Sequence, residues 1–262
     1  TTRVGENIDL TGPTTFTSTA DAITFATGTV DMANGANLTV NSAGGDISAA
    51  AGIAGFSTED VTLNAAAGNV TVGAIGAADG QISDVVLTGT TINLGGNITT
   101  DDDADAGDVD INGNVILTAA VTIDTSDAGG AVDGTFNISG TVDGAFDLDI
   151  ITDSAIAGIV GVIGGTTALA TLDINKTAGA TGAVTISNNI GTTTAAGVTG
   201  ATLIGNANTS TLTLAGTVYN ANAATYTAVA GDNISLTAGA DVTFTSSNDA
   251  ITFGTARILL GN

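Results

Sequence analysis

Residues 61–72 read Val-Thr-Leu-Asn-Ala-Ala-Ala-Gly-Asn-Val-Thr-Val, and this stretch decides the fold. Val61-Thr62-Leu63 and Val70-Thr71-Val72 each alternate apolar and polar side chains, which is the period of a β-strand with one buried face. The Asn, Ala and Gly residues between them are typical of a turn. The stretch therefore predicts two short strands joined by a tight connection.

The same apolar–polar–apolar pattern recurs along the chain. It is found at Asn37-Leu38-Thr39-Val40, Ile92-Asn93-Leu94, Val121-Thr122-Ile123, Val184-Thr185-Ile186, Leu212-Thr213-Leu214 and Ile251-Thr252-Phe253. No segment repeats apolar residues at i, i+3 and i+4, as an amphipathic helix would. The sequence thus predicts an all-β fold.

The strands recur at nearly constant distances in sequence. One series begins at Leu38, Val61, Val85 and Val109, with steps of 23, 24 and 24 residues, and a second begins at Val70, Ile92, Val115 and Phe136, with steps of 22, 23 and 21. A constant step of this size is typical of a solenoid. We therefore expect residues 1–262 to form a single right-handed parallel β-solenoid of about eleven irregular coils, each of about 23 residues.

The two ends of the chain resemble each other. Gly5-Glu6-Asn7-Ile8-Asp9-Leu10-Thr11 matches Gly231-Asp232-Asn233-Ile234-Ser235-Leu236-Thr237, and Asp21-Ala22-Ile23-Thr24-Phe25 recurs unchanged as Asp249-Ala250-Ile251-Thr252-Phe253. Residues 5–25 and 231–253 are thus expected to form similar end coils. The match indicates either one period of a longer tandem protein or subunits that stack head to tail.

Composition excludes several classes of function. Among 262 residues are 26 acidic and 3 basic side chains, no His and no Cys, and the formal net charge is −23. Nucleic-acid binding requires many Lys and Arg residues, and the same charge disfavours an anionic membrane surface. The longest apolar run, residues 155–165, is too short for insertion into a bilayer.

Enzymatic function is not expected either. Thiolate chemistry and His- or Cys-based metal sites are excluded by the inventory. A glycosidase needs two placed carboxyl groups, and sugar-binding sites usually also contain aromatic side chains. The chain has no Trp and only two Tyr residues for that purpose. No His is present to act as a general base.

The segment Asp101-Asp102-Asp103-Ala104-Asp105-Ala106-Gly107-Asp108-Val109-Asp110 concentrates six carboxylates. Calcium binds six to eight oxygen ligands from carboxylates and turn carbonyls. The sequence leaves two interpretations open, a calcium site or a solvated acidic turn. For the calcium site the expected ligands are Asp101, Asp103, Asp105 and Asp108, to which Asp124 and Asp127 could add from the next coil. No other cofactor is predicted.

A longer stretch resembles the repeats of a known family. Phe136-Asn137-Ile138-Ser139-Gly140-Thr141-Val142-Asp143-Gly144-Ala145-Phe146-Asp147-Leu148, followed by Gly161-Val162-Ile163-Gly164-Gly165-Thr166-Thr167-Ala168-Leu169, is similar to giant secreted bacterial β-solenoid proteins. These are filamentous-haemagglutinin-like adhesins and related beta strand repeat surface proteins. The resemblance implies a right-handed parallel β-helix shaft, an extracellular or cell-surface location and a structural or adhesive role.

Together these observations predict a non-enzymatic structural or adhesive shaft of a secreted surface or fibre protein. Its expected partners are further copies of itself, stacked head to tail, and a cell-surface receptor or glycan. The alternative is a calcium-dependent extracellular binding module that uses the acidic segment.

Overall fold

The computed structural model describes residues 7–56, 58–76, 82–100, 107–126, 132–177, 179–247 and 249–261. Within these ranges all the regular secondary structure is β-strand. The described residues therefore include no helix that could cross a membrane. The strands pair in parallel and stack as a β-solenoid of about 10 turns, with equivalent residues about 24 apart. The predicted all-β parallel solenoid is therefore confirmed.

The chain divides into two compact units, Thr1–Gly134 and Thr135–Asn262. The strands of the first unit are β1 (Ile8–Leu10), β2 (Thr14–Ser18), β3 (Ile23–Thr24), β4 (Val30–Met32), β5 (Leu38–Ser42), β6 (Ile47–Ala49), β7 (Ile53–Ala54), β8 (Val61–Asn64), β9 (Val70–Val72), β10 (Val85–Leu94), β11 (Ile98–Thr99), β12 (Val109–Leu117) and β13 (Val121–Asp124). The expectation of a single solenoid concerns how the two units are joined, and it stays a prediction.

The strands of the second unit complete the description. They are β14 (Phe136–Ile138), β15 (Val142–Asp143), β16 (Leu148–Ile151), β17 (Ala157–Ile159), β18 (Leu172–Ile174), β19 (Val184–Ile186), β20 (Val198–Ile204), β21 (Leu212–Leu214), β22 (Val218–Thr227), β23 (Asn233–Leu236), β24 (Thr243–Thr245), β25 (Ile251–Gly254) and β26 (Arg257–Leu260). All eight segments that the alternating pattern predicted as strands coincide with strands, apart from Asn37, which directly precedes β5.

In the first unit, the sequence steps correspond to strand pairing. The strands β2, β5, β8, β10 and β12 form one stack, in which Leu38, Val61, Val85 and Val109 are successive register partners. A second stack consists of β3, β6, β9 and the later part of β10, which pairs with β12; here Val70, Ile92 and Val115 are partners. Phe136, the fourth member of this predicted series, lies in the second unit, where it pairs with Ala157 of β17. The third begins with β1, β4 and β7. Each turn of the solenoid thus has three sides, with one strand in each stack.

The second unit has the same construction with longer turns. One stack runs through β14, β17, β19, β21, β23 and β26. Ala157 pairs with Val184, 27 residues on, and Val184 pairs with Leu212, 28 residues on. Additional residues between strands account for these steps. Longer turns use more of the chain, so the number of turns is about 10 rather than eleven.

The core consists of ladders of β-branched and Leu side chains. Val61, Leu63, Val85 and Leu87 are fully buried, whereas the intervening Thr62 is half-buried on the outer side. Burying one such side chain contributes about 1.5–3 kcal/mol. Because each strand is short, stability comes from stacking many equivalent rows and not from any one strand.

Asn and Asp side chains link successive turns at the corners. Asn37, Asp60, Asp84 and Asp108 each directly precede a strand and form one column. The amide oxygen of Asn37 accepts the Asp60 N–H at 3.1 Å, and Asp84 accepts the Asp108 N–H at 3.0 Å. At another corner Asp46 accepts the Asn69 N–H at 2.8 Å. These side-chain oxygens accept hydrogen bonds from main-chain N–H groups of the next turn that the strand ladder does not pair.

A buried polar network holds one corner of the second unit. The Asn206 side-chain nitrogen donates to the carbonyl oxygens of Asn175, Thr177 and Ala180 at 2.7, 2.8 and 2.9 Å. Asn175, fully buried, adopts a left-handed φ of 48°, which Asn tolerates better than most residues. Its amide oxygen accepts the Thr152 N–H at 2.8 Å. The network replaces the main-chain ladder where the chain turns inward.

We expect Asn206→Ala to lower the free energy of unfolding by about 1–3 kcal/mol, because buried carbonyl groups lose their donor. Urea unfolding measures the difference. Asn208→Ala is the matched control, because the Asn208 side chain is exposed and its main-chain N–H still donates to the Asn206 side-chain oxygen after the substitution. For this variant we expect a change within about 0.5 kcal/mol. Equal losses in the two variants would contradict this role of Asn206.

Candidate functional site

The structure describes part of the predicted calcium site. Asp108 is half-buried; its N–H donates to Asp84, and its carbonyl oxygen accepts the Val85 N–H at 2.9 Å. Its main chain therefore belongs to the corner column. Asp124 accepts the Ser126 N–H and hydroxyl at 3.1 and 2.6 Å. Asp101, Asp103, Asp105 and Asp127 lie outside the described residues.

Where the structure describes the chain, no three carboxylates converge in a way that could hold a metal ion. Several described carboxylates accept hydrogen bonds from neighbouring turns instead. Asp143 accepts the N–H groups of Thr166 and Thr167 at 2.8 and 2.9 Å, and Asp147 accepts the Thr171 hydroxyl at 2.7 Å. Calcium binding by the acidic segment stays a prediction. The sequence signal for these corner contacts is the Asn or Asp that directly precedes a strand at the coil step, as at Asn37, Asp60, Asp84 and Asp108.

Two carboxylates meet beside one of the chain's three cations. Asp149 and Asp173 are register partners on β16 and β18. The Lys176 ammonium lies 3.7 Å from Asp149 and donates a hydrogen bond to Asp173. The hydrogen bond to Asp173 is the main cause that raises the pKa of Lys176 above its ordinary value, and it outweighs the opposing effect of burial. The ammonium offsets the repulsion between the carboxylates.

We expect Lys176→Met to lower the free energy of unfolding by up to about 1 kcal/mol at pH 7, since the groups are partly exposed. The raised pKa means that the stabilisation is present below the ordinary lysine value and is lost as pH rises through the folded value. The difference between the two proteins should be constant from about pH 6 to about pH 9 and disappear as the pH rises through the raised pKa of Lys176.

Urea unfolding at each pH measures this difference. Lys176→Arg serves as the control, because a guanidinium stays charged throughout the range and should keep its advantage over Met at high pH. A difference between wild type and Lys176→Met that grows with pH would contradict the assignment.

Aromatic side chains gather in the last two turns of the second unit. Tyr219 stacks on Phe244 with ring centroids 5.0 Å apart, and Tyr226 stacks on Phe253 at 5.5 Å. The Tyr219 hydroxyl accepts the Gly216 N–H at 2.8 Å, whereas the buried Tyr226 hydroxyl has no hydrogen-bond partner in the described chain. Burial raises the pKa of both phenols well above the ordinary value. Both therefore stay protonated at neutral pH and act as packing groups.

The two phenols should respond oppositely to loss of the hydroxyl. Tyr219→Phe leaves the Gly216 N–H without its acceptor and should cost about 1 kcal/mol. Tyr226→Phe removes an unpaired buried polar group and should leave stability unchanged or raise it by about 1 kcal/mol. Thermal unfolding of both variants provides the test. Destabilisation of the same size in both would contradict the assignment.

The first and last turns have the same local structure. Ile8 pairs with Val30 and Leu10 with Met32; at the matching positions Ile234 pairs with Ile258 and Leu236 with Leu260. The N–H of Ala33 donates to Leu10 at 2.8 Å, and that of Gly261 donates to Leu236 at 2.7 Å. The match between the two segments thus extends to strand register.

Side-chain contacts agree as well. Phe16 and Phe25 meet edge to face at 5.2 Å, and their counterparts Phe244 and Phe253 meet edge to face at 4.9 Å. The Ser18 hydroxyl accepts the Asp21 N–H at 2.9 Å, as Ser246 does from Asp249 at 3.0 Å. Two turns with the same register, aromatic pair and turn hydrogen bond present the same shape to whatever covers them.

The last turn is open on the side where the first turn is covered by β5, β6 and β7. The strands β24, β25 and β26 each pair along one edge, with no described strand along the other. Leu260 is 71% exposed, whereas its counterpart Met32 is 4% exposed beneath the next turn. A cleft of about 400 Å³ lies between residues 236–242 and 260–261. We call the open edges of β24, β25 and β26, with this cleft, the end-turn surface.

The fold and the ladders define the chain as a parallel β-solenoid repeat protein. Comparison with protein-family models, curated proteins and solved structures found no match.

Proposed function

We propose that this chain is a non-enzymatic shaft of a secreted cell-surface or extracellular fibre protein, with a structural or adhesive role. Its copies associate end to end. The observation that supports the proposal is the end-turn surface: an open set of parallel strands with exposed apolar side chains, on a turn built like the first turn. Open parallel edges bind further strands through main-chain hydrogen bonds.

The polar flanks fit an adhesive role in the same proposal. Rows of Thr and Asn project from the first unit, where Thr15, Thr39 and Thr62 are successive register partners. Hydroxyl and amide groups bind glycans and polar receptor surfaces through hydrogen bonds. A receptor or glycan would then contact the flanks, leaving the ends for assembly.

Charge sets the conditions for assembly. With a net charge of −23, copies repel one another at low ionic strength. Salt shortens the screening length from about 30 Å at 0.01 M to about 8 Å at 0.15 M. Assembly should therefore need moderate salt.

Electron microscopy of the purified chain tests the proposal. We expect unbranched fibres at about 0.15 M salt and few at about 0.01 M. Leu260→Asp, which places a charge on the end-turn surface, should abolish them. Ile116→Asp is the matched control, because Ile116 is 42% exposed but lies on β12 of the first unit and is not part of the end-turn surface.

Isolated short particles at every salt concentration would overturn end-to-end assembly. Parallel samples with calcium and with a chelator distinguish the alternative calcium-dependent module, which predicts association or a rise in melting temperature only with calcium.

A further inference from the structure

We propose that the last turn of one copy takes the place of the first turn in the next copy, and we call this end-turn exchange. The occupant of the end-turn surface is then the strand set β5, β6 and β7 of a second copy. This inference rests on the proposed function, because it names the partner and the register of the end-to-end contact.

The first turn gives the template for this contact. In the first unit, β2 is covered by β5 and β3 by β6, with Thr15 opposite Thr39 and Thr24 opposite Ser48. Because β24 and β25 are the counterparts of β2 and β3, their open edges have the shape that β5 and β6 already bind. The end-turn surface therefore fits a strand set that is present in every copy.

The spacing of the corners supports exchange over simple stacking. From β24 to β25 to β26 the first residues are 8 and 6 apart, and from β5 to β6 to β7 they are 9 and 6 apart. In stacking without exchange that continues the winding of the chain, β1, β2 and β3 would lie on β24, β25 and β26 instead, and their first residues are 6 and 9 apart. The longer side of one turn would then lie on the shorter side of the other.

The cleft of the end-turn surface also fits exchange. In the first turn, the space next to Leu10 and Thr14 is occupied by residues 33–37. There Ala36 is fully buried, and the Thr14 N–H donates to the Asn37 carbonyl oxygen at 2.9 Å. The end-turn cleft lies between the counterpart residues. In the exchanged state, the connection from residue 33 to residue 37 of the second copy fills it.

The last turn is also the better partner for β5–β7. In the first turn Asp9 and Asp31 are register partners, so two carboxylates stand side by side, with Asn7 donating to Asp31. Like charges directly opposite each other destabilise a strand pair. The counterparts in the last turn are Ser235 and Leu259, which carry no charge.

The matching positions of the two turns carry apolar side chains in both cases. Val30 and Met32 in the first turn correspond to Ile258 and Leu260 in the last. Exchange of a like element between copies loses and regains similar contacts, so a small preference decides the direction. Because the donor turn and the acceptor strands lie at different ends of the chain, exchange produces an open linear chain of copies.

Disulfide trapping tests the register, since the chain has no native Cys. One preparation carries Thr243→Cys and the other Thr39→Cys; they are mixed at physiological salt in a thiol redox buffer. In the exchanged state residue 243 occupies the place of Thr15, within reach of residue 39 for a disulfide. We expect the mixed disulfide dimer in about tenfold excess over a crossed pair, Thr243→Cys with Asn41→Cys.

A second pair reports stacking without exchange. Continuing around the turn, β1 would then lie on β24, so Thr243→Cys would pair with Asp9→Cys. Trapping of residue 9 in place of residue 39 overturns exchange but leaves end-to-end assembly intact. Trapping of residue 39 without fibres would support exchange and overturn the proposed fibre. Absence of both disulfides overturns exchange, and fibre formation is then judged by microscopy alone.

Loosening the first turn gives an independent test. Phe16→Ser in the Thr39→Cys chain weakens the turn that competes for β5, and exchange predicts that trapping by Thr243→Cys rises about tenfold. Phe244→Ser in the donor chain, the matched variant, should lower trapping by a similar factor. If Phe16→Ser also lowered trapping, the first turn would be part of the contact and not its competitor, and exchange would be wrong.

Discussion

Hydrogen bonds between successive turns are the interaction on which this structure depends. Each strand is two to ten residues long, too short to be stable alone, and its main-chain groups find partners in the turns above and below. Register follows from this pairing, because a shift by one residue would turn Val61 and Leu63 outward and Thr62 inward. Corner Asn and Asp residues fit the same scheme, since they accept main-chain donors at the bends. A net charge of −23 is compatible with the fold because these carboxylates are placed as acceptors.

The same dependence explains why the ends matter. A turn inside the stack is covered on both sides, so Val30 and Met32 are buried; the last turn carries Ile258 and Leu260 at the same positions without a cover. Any solenoid turn leaves unpaired main-chain groups at its free edge. Because the last turn repeats the first, its open surface is complementary to the strands that cover the first turn, β5, β6 and β7. The structural role in assembly is therefore proposed from the fold.

Much of the fold could be predicted from sequence because its signals are local and periodic. Alternation in Val70-Thr71-Val72 reveals a half-buried strand, and the step between Leu38 and Val61 reveals the coil. The 27- and 28-residue turns around Val184 were harder, because the added residues are Gly-, Ala- and Thr-rich like the rest. The contacts of Asn206 with three carbonyl groups, and of Lys176 with two carboxylates, depend on which segments meet across turns. No local pattern contains that information.

Hydrogen exchange measured by mass spectrometry tests whether hydrogen bonds between turns hold the molecule together. We expect slow exchange in strands covered on both sides, such as β8 and β10, and fast exchange in β1 and β26, which have one neighbour each. Protection should fall off toward the uncovered edges. If β8 and β10 exchanged as fast as β26, the turns would not be hydrogen-bonded to one another, and the stacked fold described here would be contradicted.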